Sequence, residues 1–197
     1  MRIPFIFAYV LGAGLGLWSL LAGNYEFLLY AAVTLVLVGL IHAGDRRFAF
    51  NTSVLWGVNL WLVLHILGGL WPVGDSVLYS LVLIDLVGEP YSILKYDQVV
   101  HAYCYFIVAL LLWQVISAAR QTLGFGLLAS LTVLAAAGVG GGNEVIEFAA
   151  TVLVPDTNVG GYENTAIDLV ANFVGACLAV PFFNRLTPRA GAAAASG

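Results

Sequence analysis

Apolar residues in this chain come in long blocks separated by short polar stretches. The blocks cover approximately residues 4–22, 27–43, 53–71, 98–118, 122–142 and 164–184. Each is near the length of about 20 residues that a helix needs to cross a bilayer. The apolar stretch from Ser76 to Val87 is too short to cross and predicts a re-entrant or interfacial helix. The fifth block runs on through Gly140-Gly141-Gly142 and Asn143 toward Val154, so its helix either protrudes or bends at the glycines. The run from Ile3 extends to about Ala22 without an Ala-x-Ala site and reads as a first span, not a signal peptide. The pattern predicts an all-α polytopic membrane bundle of about six transmembrane helices plus one short helix. Residues 1–189 form a single transmembrane domain in this reading, and 190–197 a disordered Gly/Ala tail.

Composition agrees. Charged residues are 9% of the chain and hydrophobic ones 61%, where a soluble domain carries roughly a quarter charged residues. The net charge of −4 and the lack of a basic stripe argue against nucleic acid as a partner. Cys104 and Cys177 lie within apolar runs and lack the spacing of a zinc site, so they read as small packing residues. The positive charges set the orientation. With six spans and the N-terminus inside, Arg2, Arg46, Arg47, Arg120, Arg185 and Arg189 all fall on the cytoplasmic side and only Lys95 outside. A seventh span at 76–87 would destroy this bias, so both ends are expected in the cytoplasm.

Ionisable side chains in a bilayer are costly and tend to be kept for function. Six of them sit at the edges of the apolar blocks: His65, Asp97, His101, Glu144, Glu147 and Asp168. On the expected topology, Glu144 lies about 33 Å along a helix starting near residue 122, at the outer boundary of the hydrocarbon. His65, Asp97, His101 and Asp168 fall at the same level. Asp97 and His101 are spaced i,i+4, Glu144 and Glu147 i,i+3, and Asp168 and Asn172 i,i+4, so each pair shares a helix face. Any one of them alone would more often simply face water or headgroups. Together they predict a shared polar pocket on the outer side. His42, at the inner end of the second block, stands apart. Tyr96, Tyr103, Tyr105, Trp71 and Tyr162 read as interfacial aromatics.

Four carboxylates and two imidazoles in a low dielectric must be neutralised. A divalent metal ion is one means, and oxygen and imidazole donors without thiolate suit Zn, Mn, Fe or Mg. Shared protons are the other.

At these positions the chain resembles a known family. Leu64-His65-Ile66-Leu67-Gly68-Gly69, Tyr96-Asp97 with His101, Asn143-Glu144-Val145-Ile146-Glu147, and Thr165-Ala166-Ile167-Asp168 with Gly175 are similar, in order, to motifs of the bacterial inner-membrane proteins typified by YjdF, distantly VanZ-like. The resemblance spans about residues 60 to 180. It implies a small helical protein of the bacterial inner (cytoplasmic) membrane, and through the VanZ-like relation a link to envelope resistance. Asn164, beside Glu163, stands where an acid is expected before Asp168.

The leading expectation is a metal-dependent membrane enzyme acting on a lipid or lipid-linked substrate by hydrolysis or group transfer. His65, His101, Glu144 and Asp168 are the expected metal ligands. Glu147 and Asp97 are the expected catalytic groups, and Asn143 and Asn172 the residues supporting the ligands. Alternatives are a cation- or proton-coupled transporter or binding protein, and a non-enzymatic envelope-resistance protein. Membrane lipids are the expected partners in each case.

Overall fold

A computed structural model describes residues 1–89, 91–119, 122–154, 157 and 159–186. Six helical segments in it are long and apolar enough to cross a membrane. They are α1 (Ile3–Ala22), α2 (Tyr25–Phe48), α3 (Thr52–Leu70), α4 (Tyr96–Ala119), α5 (Phe125–Leu153) and α6 (Tyr162–Leu178). α6 runs on through a 3-10 turn, Val180–Phe182, into the short α7 (Phe183–Leu186), which completes its span. Arg120, Arg189 and the tail 190–197 expected to be disordered lie outside the described residues.

The helices start where the sequence provides for them. Asn24 caps α2 by accepting from the Phe27 amide at 3.0 Å, and Asn51 caps α3 by accepting from the Ser53 amide at 2.9 Å. At the end of the bundle where Asn51 lies, Arg2 ties three helices together. Its guanidinium pairs with Asp45 at 2.5 Å and donates to the Phe50 carbonyl and Thr52 hydroxyl. Arg46 and Arg47 close the last turn of α2 there, and Arg185 ends α7. Lys95 precedes α4 at the opposite end, so the described cations divide as the positive-inside reading requires.

α4 is the centre of the bundle, packed against α3, α5 and α6, while α1 packs mainly on α2. The core collects Val54, Leu55, Leu62, Leu110, Trp113 and Phe183, with Trp113 and Phe183 stacked at 4.5 Å between ring centroids. α5 is one unbroken helix of 29 residues, so the glycine tract does not interrupt it, and it is longer than the about 20 residues a crossing needs. Within the tract Gly140 serves packing: a Cβ there would press on the Asn172 side chain.

The segment Ser76–Val87 corrects one expectation. It does not cross, but its helical content is a single 3-10 turn, Leu78–Ser80; the rest is strand. β1 (Pro72–Val73) pairs with β2 (Ser76–Val77), and β3 (Val82–Val87) runs antiparallel to β4 (Ile93–Lys95). The β-branched residues Val77, Val82, Ile84 and Val87 favour extended backbone, and a hairpin satisfies backbone groups that a helix of this length would leave open at its ends.

Candidate functional site

The far end of α4, away from the arginines, carries the first two site residues. Asp97 is in its first turn, where the helix N-terminus favours a carboxylate, and His101 follows one turn later. The His101 ring stands among acids from three helices. Its Nε2 is 3.6 Å from Asp97 Oδ1 and 3.8 Å from Glu147 Oε1, and its Nδ1 is 3.8 Å from Glu144 Oε1. These separations exceed hydrogen-bond length. The short contact is from Nδ1 to Asn172 Oδ1, at 3.0 Å. That oxygen only accepts, so Nδ1 carries the hydrogen and Nε2 is turned toward Asp97 and Glu147.

Three asparagines hold the acids. Asn143 Nδ2 donates to Glu147 Oε1 at 2.7 Å, Asn164 Nδ2 to Asp168 Oδ2 at 2.5 Å, and Asn172 Nδ2 to Glu144 Oε1 at 3.4 Å. Asn164 thus supports Asp168 where an acid was expected. Each amide engages one carboxylate oxygen and leaves the other. Asp168 is 0% exposed and Glu144 7%, and Asp168 Oδ1 and Glu144 Oε2 are buried with no hydrogen-bond partner among the described residues. An orphaned buried carboxylate oxygen is costly enough to demand an explanation.

Two sets of donors share His101. Asp97, His101 and Asp168 offer ligand atoms within 4.8 Å of one another, and so do His101, Glu144 and Glu147. Among the described residues, no lysine or arginine pairs with these acids; the one arginine–carboxylate pair is Arg2–Asp45. The charge surplus around His101 therefore awaits protons or a bound cation.

His65 lies on the same cavity but outside both donor sets. Its Nδ1 is 2.5 Å from the Tyr79 hydroxyl, which also donates to the His65 carbonyl at 3.0 Å. Having one hydrogen and giving it to the carbonyl, the phenol accepts from Nδ1–H. Burial, reinforced by Asp97 and Glu147, holds the Tyr79 phenol well above its usual pKa and keeps it protonated. His65 is thereby fixed as the tautomer with Nε2 unprotonated. Trp61 stacks on its ring at 5.5 Å between centroids.

A cavity of about 100 Å³ joins these groups. Asp97, His101 and Glu147 line it; Glu144, Asp168 and Asn172 lie behind its wall. Glu26 also lines it, buried in the first turn of α2 and hydrogen-bonded with Tyr30 one turn on. Sequence reading passed over Glu26 because an acid just after an asparagine cap looks like an ordinary dipole partner. The usable signal was the i,i+4 step from Glu26 to Tyr30 inside an apolar run. Tyr79 gives no signal in the sequence, because its segment reads as a short re-entrant or interfacial helix.

The tyrosines read as interfacial divide. Trp71 and Tyr162 are exposed, but Tyr105 is buried and lines the cavity. Tyr96 donates to the Leu64 carbonyl at 3.1 Å and Tyr103 to the Gly57 carbonyl at 3.3 Å, both fastening α4 to α3. His42, at the arginine end, stacks on Phe5 and contacts the Tyr9 hydroxyl, far from the site.

No curated protein and no solved structure matches this chain. A family model matches residues 3–189, nearly its whole length, and by this the chain belongs to the family described as predicted membrane protein (DUF2238).

Proposed function

We propose that the cluster around His101 binds a divalent metal ion (Zn, Mn, Fe or Mg) and that the protein is a metal-dependent enzyme acting on a lipid or lipid-linked substrate. One observation carries the reading: among the described residues, two buried carboxylate oxygens, Glu144 Oε2 and Asp168 Oδ1, lack a hydrogen-bond partner in a cluster of acids that no lysine or arginine pairs with. The donor set fits such an ion, because it is oxygen and imidazole without thiolate and arranged in groups spanning 4.8 Å. Asn172 turns His101 as a supporting residue turns a ligating histidine.

The residues divide by depth. His101, common to both donor sets, holds the ion with Asp168 of one and Glu144 of the other, Asn143, Asn164 and Asn172 fix the acids and the ring, and Glu147 and Asp97, which face the cavity, take and return protons. His65, fixed by Tyr79, presents Nε2 as a further ligand or base from the opposite wall. A bound ion would polarise a phosphoryl or carbonyl oxygen and acidify a water. The resemblance to YjdF-type proteins and the arginine bias support a bacterial cytoplasmic membrane, with this site on the extracytoplasmic side at headgroup depth.

Elemental analysis of detergent-purified protein tests the reading. Wild type should carry close to one or two equivalents of metal and Glu144→Gln should lose it. Equal metal content in the two proteins refutes the ligand assignment.

A further inference from the structure

The cavity changes character along its length. At the end away from the arginines its wall is Glu26, Asp97, His101 and Glu147; deeper, on α2, it is Val33, Thr34 and Leu37. Leu37 lies 12 residues beyond Tyr25, the start of α2, about 18 Å along the helix, and so reaches the middle of a hydrocarbon core about 30 Å thick. At that depth Leu37 is still 39% exposed. The reason is the packing order. α2 rests on α1 and touches α4, whereas α5 rests on α4 and α6. α2, through Glu26 to Leu37, and α5, through Asn143, Ile146 and Glu147, therefore stand on either side of the cavity with α4 behind it, and the exposure of Leu37 marks a slot on the side of the cavity next to lipid.

We infer that this slot is a lateral entrance for a membrane phospholipid, whose headgroup enters the acid–histidine site while one acyl chain lies along Val33 and Leu37 between α2 and α5. A cavity of about 100 Å³ holds a headgroup fragment and some water but not a whole lipid, so the remainder must stay in the bilayer, which a side entrance allows and a top entrance does not. Acids at one end and aliphatic side chains at the other match a molecule with one polar and one apolar end. The inference rests on the metal-dependent reading only for its headgroup: with a cation bound, the acid cluster accepts a phosphate.

The test uses full-length protein reconstituted with phosphatidylglycerol and phosphatidylcholine, extracted in detergent, stripped of loose lipid, and measured by native mass spectrometry and elemental analysis. Wild type should keep about one phosphatidylglycerol per chain. Leu37→Trp and, independently, Val33→Trp should lower that occupancy at least tenfold with metal content unchanged, while Val36→Trp, at a position of α2 that is 62% exposed and turned away from the cavity-lining face, should keep it. Occupancy equal to wild type in both slot variants overturns the entrance. Metal-loaded wild type without retained lipid also overturns it and leaves the metal reading standing. Lipid retained by wild type that contains no metal supports the slot and defeats the metal reading instead.

Discussion

His101 Nδ1 and Asn172 Oδ1 meet at 3.0 Å although 71 positions separate the two residues. The contact joins α4 to α6 and decides which ring nitrogen faces the acids. It depends on an unusually close approach of the helices. Gly175, one turn beyond Asn172, packs so tightly on α4 that a Cβ there would run into the Ala102 carbonyl. Asn172 and Gly175 therefore act as one device: the glycine brings the backbones together, and the amide then reaches the imidazole.

Asn172→Ala should release the His101 ring. Loss of such a supporting partner typically costs about 10–100-fold in metal affinity, and the unpaired site should cost about 1–3 kcal/mol of stability. Titration of purified protein with Zn or Mn reads the first effect, and an unchanged affinity would deny Asn172 its orienting role.

Gly175→Ala places a methyl group against backbone, which cannot move aside as a side-chain tip can. Overpacking of this kind costs about 1–3 kcal/mol. The variant should melt earlier in detergent and also bind metal more weakly, because α6 carries Asp168 and Asn172 away with it. A melting curve that matches wild type would contradict the close approach.

Tyr79→Phe removes the phenol that accepts from His65 Nδ1. In wild type, nitrogen-15 NMR should find His65 as the Nδ1–H tautomer. In the variant that signal should weaken as the two tautomers exchange, with a stability loss of about 1 kcal/mol for the bond. A wild-type tautomer ratio in the variant would show that something else fixes the ring.

Metal retention should fall as pH is lowered. Carboxylates and imidazole bind a cation in their deprotonated forms, so protons compete for the same atoms and acidification favours release. Equilibrium dialysis across a pH series measures this. Binding that strengthens on acidification would exclude His101, Glu144 and Asp168 as ligands.

Much of the candidate site is legible in the sequence alone. Block length alone marked the spans, and the arginines fixed their alternation, so the i,i+4 and i,i+3 pairs could be placed at one level. What stayed hidden were the residues that look ordinary in isolation. Glu26 sits where any helix welcomes an acid, and Asn164 appeared only as a missing aspartate. Tyr79 lies in a segment whose short length excluded a span without revealing a strand hairpin.

The chain itself determines six crossings and the level at which its acids and imidazoles lie, because hydrocarbon thickness and helical rise translate sequence distance directly into depth. It does not determine rotation about each helix axis or which helices are neighbours. Those were decided by tertiary packing: α4 at the centre, α6 drawn onto it at Gly175, and α2 held off α5. That arrangement puts His101 among four acids and leaves His65 across the cavity with Tyr79. Depth is a local property of the chain, whereas neighbourhood depends on side chains far apart in sequence fitting together.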